Sequence, residues 1–364
     1  MVFLFIMLEL LNLKPDAFGL DISDLSLKIV KLSKKGRFLN LSSFLEEDIK
    51  PGLVKEGELR DEDKLALAIR SALEKIKKGK LGTKHVVASL PEEKAFLQVI
   101  QMPKMPEEDL KSAVIYEVEN YIPLPVEEVY LDSQIVKPVV DHLDHSDVLI
   151  AALPKKTVDP YLNCFKKAGL LPQVLEIESL AVARALAKKG LSPFPLLLID
   201  LGATRTSFII FSGYSLRFTG SIPVSSQKIT EAIAKNLNID QKEAEKLKIK
   251  QGLGSKEIFE AAVPVLTDLS EQIKKYLDYY KTHALHEHLD SGGKGVLKIF
   301  LSGGGANLKG LTDFLSLEFK IPVERGNPWV NILPEPLKEV PELSYEESLK
   351  YTTALGLALR GIGK

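Results

Sequence analysis

Two stretches of the chain share one pattern of apolar and polar positions. Residues 18–44 and 197–222 each begin with a short apolar run that ends in an aspartate, Asp21 in the first and Asp200 in the second. A polar turn, a second β-rich run, a glycine-containing turn and a third β-rich run follow in both, at the same spacing. Such runs predict strands joined by tight turns. Because the copies lie about half a chain apart, the pattern indicates two related domains.

The aspartates give this duplication a chemical meaning. Each is expected at the end of a buried strand, before small or polar turn residues whose backbone N–H groups can hold an anion. Two such turns facing each other across a cleft could grip a polyphosphate, with Asp21 and Asp200 on Mg²⁺ directly or through water. One aspartate of this kind is more often a simple turn cap. The hypothesis of a polyphosphate and Mg²⁺ site depends on the occurrence of such an aspartate at equivalent positions in both copies.

A third signal is a run of glycines after an apolar segment. Residues 295–300 predict a strand, and Ser302 and the run Gly303–Gly305 lead into an amphipathic helix that passes through Asn307. Glycines let a ligand approach the backbone, and the start of a helix favours phosphate. The motif has neither the P-loop nor the Rossmann spacing, so those two classes are not supported.

Between the two copies lies a segment with a different pattern. Apolar residues from Leu110 to Tyr121 recur at helical spacing after Pro106, and Pro123 ends the helix. Strand-like runs flank this helix at 97–101, 129–136 and 147–153. A β-α-β-β order of this kind predicts a small inserted domain.

Composition narrows the class of protein. A chain of 364 residues exceeds one average domain, and 45% hydrophobic with 27% charged residues is typical of a soluble globular protein. The balance of 48 basic and 49 acidic residues provides no global field for nucleic acid or anionic lipid. The single cysteine, Cys164, cannot form an internal disulfide, which fits a reducing cytoplasm. We therefore expect a cytoplasmic protein that binds no nucleic acid.

The apolar start of the chain is interpreted as an extension. Residues 1–13 are interrupted by Glu9 and are too short to span a bilayer, which needs about 20 residues. They also lack the basic region and cleavage site of a signal peptide. We expect this stretch to dock on the fold, with an artefact of the chosen start codon or an anchor on a membrane surface as the alternatives.

In their order and spacing, the aspartate turns and the glycine run resemble the motifs of the actin-like ATPase superfamily, which includes actin, sugar kinases and FtsA. The resemblance implies an actin-like, ribonuclease H-like duplicated two-domain α/β fold that binds ATP and Mg²⁺. Residues 174–186 resemble the connecting helix of the superfamily, with Glu178 at the position of a water-orienting residue. Residues 244–248 resemble the Ala-Glu-x-x-Lys segment beside the adenosine in FtsA-like members.

Site residues follow from this resemblance. It implies metal contacts at Asp21 and Asp200, and catalytic roles for Glu178 and Asp200. The implied nucleotide contacts are Ser23, Asp24, Ser26, Lys28, Gly202, Ala203, Thr204, Glu245, Lys248, Gly303, Gly304, Gly305 and Asn307.

The first turn departs from the pattern of its relatives. Where relatives usually follow the aspartate with Gly-Ser-Ser, this chain has Ser23, Asp24 and Leu25. Asp24 cannot donate a hydrogen bond to a phosphate when ionised, and if aimed inward it would repel one. We therefore expect slow hydrolysis at best.

The inserted segment resembles one family within the superfamily. Residues 101–134 contain Met-Pro-Lys-Met-Pro and Tyr-Ile-Pro-Leu-Pro, as in the PilM family of type IV pilus assembly proteins. Without that resemblance, the run at 121–125 would be interpreted as a helix stop with hydrophobic packing. The resemblance implies an ATP-binding adaptor, recruited to the inner face of the cytoplasmic membrane and able to form a weak homo-oligomer.

The expected partner is the cytoplasmic N-terminal peptide of the membrane protein PilN, docked between the inserted subdomain and the first main subdomain. The implied partner contacts are Met102, Tyr121, Leu124 and Val129. Two alternatives stay open at this point. One is an FtsA-like cell-division filament protein, and the other is a sugar or acetate-type kinase of the same superfamily.

The predicted domains are an extension (1–17), a first actin-like subdomain (18–81, 154–196 and 331–364), an inserted partner-binding subdomain (82–153), a second actin-like subdomain (197–220 and 263–330) and a small helical subdomain beside the adenosine (221–262). Two further patterns are weaker. His283, His286 and His288 crowd one polar stretch, where a solvated helix end is favoured over a metal site. The small residues Gly356 and Ala358 predict close packing of the last helix.

Overall fold

A computed structural model describes residues 15–36, 38–76, 81–139, 144–283, 295–334, 336 and 340–362. Its strands are β1 (Phe18–Ile22), β2 (Ser26–Lys35), β3 (Phe38–Asp48), β4 (Val54–Lys55), β5 (Glu58–Leu59), β6 (His85–Leu90), β7 (Phe96–Pro103), β8 (Val129–Ile135), β9 (His145–Pro154), β10 (Leu171–Ile177), β11 (Ser192–Leu201), β12 (Thr206–Gly213), β13 (Ser215–Ile222), β14 (Lys298–Ser302) and β15 (Val323–Arg325). Its helices are α1 (Glu62–Lys75), α2 (Glu107–Val118), α3 (Lys155–Lys167), α4 (Glu178–Leu186), α5 (Ser226–Leu237), α6 (Gln241–Gln251), α7 (Lys256–His283), α8 (Leu311–Phe319), α9 (Tyr345–Ser348) and α10 (Thr352–Arg360).

The first sheet has the strand order β10-β6-β1-β2-β3. Strands β1, β2 and β3 form an antiparallel meander, and Asp21 pairs with Lys28 across the first hairpin. Strands β6 and β10 are parallel neighbours on the other side. The meander confirms the pattern predicted for residues 18–44.

The second sheet repeats this arrangement within the order β15-β14-β11-β12-β13-β7-β9-β8. Strands β11, β12 and β13 form the antiparallel meander, and Asp200 pairs with Ser207 across its first hairpin. Strand β14 lies parallel to β11, as β6 lies parallel to β1. The duplicated α/β architecture is therefore confirmed.

The inserted segment extends the second sheet. Strand β7 joins β13 through one pair, Gln98 with Phe218, and β9 and β8 continue the sheet outward. A buried ion pair between Arg217 of β13 and Asp147 of β9 crosses the same seam. The sequence boundary at residue 82 needs correction, because β6 pairs with β1 and β10 in the first sheet. The insertion begins after this strand.

The helices around 221–262 share a core with the second sheet. Helix α5 is capped by Ser225, and α6 is capped by Asp240, each through its side chain. Helix α7 continues for 28 residues across the expected boundary at 262, and its buried face packs in the same apolar cluster as Ile199 and Phe208. Residues 221–262 therefore share one apolar core with the second half.

Small residues bring the last helix close to its neighbours. A side chain at Gly356 of α10 would overlap the backbone of Ala181 in α4, and one at Gly19 would overlap the carbonyl oxygen of Ala354. The predicted close packing is thus confirmed. The connecting helix begins later than expected, at Glu178, because residues 174–177 belong to strand β10 and pair with β6.

Some expectations fall on residues outside the described ranges, namely the extension 1–13 and the histidines His286 and His288. His283 is the last residue of α7. Among the described helices, none has both the length and the apolar character required to cross a membrane.

Candidate nucleotide cleft

A cavity of about 880 Å³ is lined by residues from both aspartate turns and from the glycine run. This volume is in the range of small-molecule and cofactor sites. Asp21, Asp200 and Glu178 lie in its wall. So do the residues expected to contact a nucleotide: Ser23, Asp24, Ser26, Lys28, Gly202, Ala203, Thr204, Glu245, Lys248, Gly303, Gly304, Gly305 and Asn307. The fold therefore brings all these distant positions to one place.

The first aspartate turn is held by a short set of hydrogen bonds. Ser23 N donates to Ser26 O at 2.9 Å, which closes the turn. Asp21 accepts from Ser89 Oγ at 3.1 Å, and Lys28 Nζ donates to Ser26 Oγ at 2.9 Å. Burial raises the pKa of Asp21, although Lys28 and the Ser89 hydroxyl act against the rise.

The second turn is closed in the same way. Gly202 N donates to Arg205 O at 2.9 Å, and Asp200 accepts from Ser302 Oγ at 2.8 Å. Burial raises the pKa of Asp200 to about 6, while the Ser302 hydroxyl and the Lys28 charge oppose the rise. The turn also accepts the first backbone N–H of α5, from Ser226 N to Gly202 O at 3.0 Å.

Three carboxyl groups in the wall of the cavity, Asp21, Asp200 and Glu178, influence one another's pKa. Glu178 is the first residue of α4, and burial raises its pKa well above the usual range, with Asp21 the next largest cause. Raised pKa values on Asp21, Asp200 and Glu178 mean that their negative charges are poorly compensated. A bound divalent cation would compensate them, and carboxylate oxygens are ligands that Mg²⁺ prefers. The residues present therefore fit magnesium.

The protein oxygens alone do not make a complete metal site. Within the described part of the chain, no three His, Cys, Asp or Glu side chains converge as a ligand set. Magnesium usually keeps several waters and phosphate oxygens beside one or two carboxylates. Asp21 and Asp200 match that partial set.

Asp24 lies in the wall of the cavity, and its side chain contacts a neighbouring turn. Its carboxylate accepts the backbone N–H groups of Glu56 at 3.1 Å and Gly57 at 3.3 Å. These residues form the turn between β4 and β5. These two hydrogen bonds orient the carboxylate and do not remove its charge, so the repulsion of phosphate by Asp24 stays a prediction.

The three glycines have different tasks. Gly303 has a φ of +80°, and a Cβ there would lie 2.5 Å from Leu201 O. A Cβ at Gly305 would overlap the Leu201 side chain. A Cβ at Gly304 would meet only Lys350 Cβ, at 3.9 Å. Packing on β11 thus requires Gly303 and Gly305, and Gly304 is the glycine that leaves room in the cavity.

Asn307 lies before the helix it was expected to enter. Residues 304–307 form a single 3₁₀ turn, and α8 starts only at Leu311. Asn307 Nδ2 donates to Glu346 O at 2.8 Å. Its amide therefore joins the glycine turn to α9.

The Ala-Glu-x-x-Lys segment forms a buried polar network in the wall. Lys248 Nζ donates to Ser226 Oγ at 2.9 Å and to Thr230 Oγ1 at 2.8 Å, and it pairs with Glu245 at 2.7 Å. Burial lowers the pKa of Lys248, and Glu245 opposes that effect. The network fixes the relation of α6 to α5 at this side of the cavity.

Three residues in or next to the cleft were not predicted from the sequence. Ser89, the next-to-last residue of β6, donates to Asp21 as Ser302, the last residue of β14, donates to Asp200, and the similarity of Val-Val-Ala-Ser to Ile-Phe-Leu-Ser could have revealed it. Glu93 and Arg205 face each other in the wall, with Oε1 and Nε 3.8 Å apart. No local pattern signals that pair, because its members come from different halves.

The expected partner contacts separate into two groups. Met102 and Val129 are buried in the apolar core of the insertion, so their assignment to a partner surface is wrong for this conformation. Leu124 packs partly against that core. Tyr121 is 42% exposed and lines a small cavity of about 150 Å³ together with Thr219 of β13. This small cavity lies at the seam with the second half, not the first.

Two duplicated α/β halves with aspartate turns on one cavity define an actin-like protein. Solved structures with this fold include MreB5 of Spiroplasma citri bound to AMPPNP, at a TM-score of 0.57 and 14% identity over 95% of this chain and 96% of that one. The family model of the type IV pilus assembly protein PilM matches residues 19–362. The chain therefore belongs to the PilM family.

A solved PilM-PilN type IV pilus biogenesis complex resembles this chain at a TM-score of 0.78 and 29% identity, over 96% of this chain and 99% of that one. Curated relatives include FtsA of Borreliella burgdorferi, 26% identical over 54% of this chain and 50% of the relative. FtsA of Streptococcus pneumoniae is 24% identical over 84% of this chain and 74% of the relative. The chain spans about half the length of the first curated relatives it matches.

Proposed function

We propose that this protein binds Mg-ATP in the cleft and acts as an adaptor in type IV pilus assembly, docking the N-terminal peptide of a PilN-like membrane protein. The convergence of two aspartate turns and the glycine run on one cavity carries the nucleotide part. The AMPPNP-bound relative with the same fold supports it. The likeness to a PilM-PilN complex supports the partner.

Each group in the cleft has a task under this proposal. Asp21 and Asp200 hold Mg²⁺, which when bound neutralises phosphate charge and orients the phosphates. The backbone N–H groups of the two turns and the ammonium of Lys28 bind phosphate oxygens. Gly304 leaves space beside the backbone for the adenosine.

Hydrolysis is expected to be slow because the first turn carries Asp24, which when ionised cannot donate a hydrogen bond to a phosphate. Glu178 is then the residue expected to orient the attacking water. The nucleotide then serves mainly as a structural ligand. A steady-state turnover of roughly 1–10³ s⁻¹, as in ordinary enzymes, would contradict this assignment.

Thermal unfolding with and without Mg-ATP tests the nucleotide site. The wild type should be stabilised by Mg-ATP, because a ligand that binds only the folded state raises the melting temperature. Asp200→Ala should lose the magnesium-dependent part of that stabilisation while remaining folded. Asp268→Ala, an exposed aspartate on α7, is the matched control. Equal stabilisation of both variants would refute metal binding at Asp200.

The partner is proposed to dock at the cytoplasmic membrane surface through the insertion. Its Tyr121 and Leu124 remain at least partly accessible. A short peptide that becomes ordered on binding loses chain entropy, so we expect a Kd near ~1 μM or weaker.

Calorimetry with a synthetic peptide of the partner's N-terminus tests this interface. Tyr121→Ala and Leu124→Ala should weaken peptide binding and leave Mg-ATP binding intact. Leu317→Ala, at an 80% exposed position on α8, is the control. If both insertion variants fold and bind the peptide normally, the docking site lies elsewhere. If they fail to fold, the two residues belong to the core, and the contact assignment is wrong.

A further inference from the structure

An arginine and a glutamate from opposite halves meet in the wall of the cleft. Arg205 follows the second aspartate turn, and Glu93 lies in the 3₁₀ turn after β6. Arg205 Nε lies 3.8 Å from Glu93 Oε1 and donates to Ser221 Oγ at 3.0 Å. The side chains are 23% and 13% exposed, so a ligand in the cavity can reach both.

This ion pair is loose. Charge-assisted hydrogen bonds between nitrogen and carboxylate oxygen usually measure about 2.7–2.9 Å. Among the contacts of the described residues, those of the Arg205 side chain involve Nε, so none of them occupies Nη1 or Nη2. Burial raises the pKa of Glu93, against the effect of Arg205, so this carboxylate is a weak anionic partner. A stronger anion can replace it.

The Arg205–Glu93 pair lines the same cavity as the carboxyl groups of Asp21, Asp200 and Glu178. The Glu93 charge adds to the rise in the pKa of Glu178, as do Asp21 and Asp200. Arg205 is in addition the residue whose carbonyl closes the second turn. Arg205 therefore lines the cavity together with both aspartate turns, where the phosphates are expected to bind.

We propose that Arg205 binds the terminal phosphate of a nucleoside triphosphate, and that Glu93 holds its guanidinium until that phosphate takes its place. This role rests on the proposed nucleotide binding. A guanidinium presents a planar fork that matches phosphate oxygens, and a phosphate carries more charge than a carboxylate. Arg205 thus distinguishes the triphosphate from the shorter nucleotides.

Calorimetry with ATP, ADP and AMP in the presence of Mg²⁺ tests the role of Arg205. Arg205→Gln should weaken ATP binding by about tenfold or more and ADP binding by less, with AMP unchanged. Arg205→Lys keeps the charge but not the planar fork, so its ATP affinity should lie between those of the wild type and Arg205→Gln. Arg70→Gln, at an exposed site on α1, loses the same charge and should change none of the affinities. Unfolding without ligand and AMP binding report whether the fold is intact.

A second variant separates the exchange from simple repulsion. Glu93→Gln should tighten ATP binding severalfold, because the guanidinium no longer has to leave a charged partner. The gain should disappear in the Arg205→Gln background. A gain of equal size in that background would show general repulsion and overturn the exchange.

The outcomes also separate this inference from the proposed function. An unchanged ratio of ATP to ADP affinity in Arg205→Gln overturns the role of Arg205 alone. A wild type that binds none of the three nucleotides overturns both proposals.

Discussion

The two halves of the molecule close their aspartate turns with the same hydrogen bond. Ser23 N donates to Ser26 O in the first half, and Gly202 N donates to Arg205 O in the second, both at 2.9 Å. The side-chain bond is repeated as well, from Ser89 to Asp21 and from Ser302 to Asp200. The backbone frame is therefore duplicated even where the side chains differ.

The halves diverge immediately after these serines. In the first half Leu90, a proline and two glutamates follow, and Glu92 is buried and accepts Ser179 N at the start of α4, at 3.3 Å. In the second half the run Gly303–Gly305 follows and leaves the cavity open at its middle residue. One frame thus serves two tasks. Side chains fill the space after Ser89 in the first half, and glycine leaves the space after Ser302 free in the second half.

The groups that compensate the negative charges of Asp21 and Asp200 also differ between the halves. Asp21 faces Lys28 across its hairpin, whereas Asp200 faces Ser207. Even when no ligand is bound, the Asp21 carboxylate has the positive charge of Lys28 nearby. The Asp200 carboxylate has mainly the Ser302 hydroxyl. We therefore expect Asp200 to depend more on a bound metal.

The largest expected effect comes from filling the glycine run. Gly303→Ala should lower the free energy of unfolding by about 3 kcal/mol, because of its positive φ and its contact with Leu201 O. Gly304→Ala should change it by less than about 1 kcal/mol. Urea denaturation of ligand-free protein gives both values. Equal losses would show that the two glycines do not have different tasks.

The next effect is a dependence of stability on pH. A pKa of about 6 for Asp200 lies above its ordinary value of 3.8, so the folded state binds this proton more readily than the unfolded chain. The contribution of Asp200 to ligand-free stability should therefore rise by about 2 kcal/mol as the pH falls from 7 toward 4. Asp200→Asn should reduce that rise, and the exposed Asp268→Asn should not. A slope that Asp200→Asn leaves unchanged would contradict the raised pKa.

The smallest effect concerns the two serines. Each hydroxyl stabilises the ionised form of its aspartate, so Ser302→Ala should raise the pKa of Asp200 and Ser89→Ala should raise that of Asp21. Loss of one such bond is worth about 1 kcal/mol. NMR titration of the aspartate carboxyl carbons measures both. A larger change at Asp21 than at Asp200 would reverse the comparison, because Lys28 should buffer the first site.

Local patterns were sufficient to predict the meanders, the aspartate turns and the insertion. In each case hydrophobic period and turn residues lie within a few positions of each other, as around Asp21 and Pro106. The direction of the Asp24 carboxylate could not be predicted, because its partners Glu56 and Gly57 lie on another hairpin. The meeting of Glu93 with Arg205 also depends on how two halves are brought together.

The burial of Met102 was accessible to sequence reasoning in part. Its strand alternates, with Ile100 and Met102 both on the buried face of β7. Resemblance to a partner-binding segment identified the region but not which face of the strand is exposed. Only the packing of α2 on this sheet decides that.

The insertion has a mechanical consequence for the cleft. Its chain enters after β6 and leaves directly into α3, while its strands bond to β13 and its Asp147 pairs with Arg217. It is covalently attached to the first half and hydrogen-bonded to the second, so it is a non-covalent cross-link between them. Rotation of one half about the other must strain residues 91–95 or separate the Gln98–Phe218 pair. The insertion therefore restrains the angle between the halves.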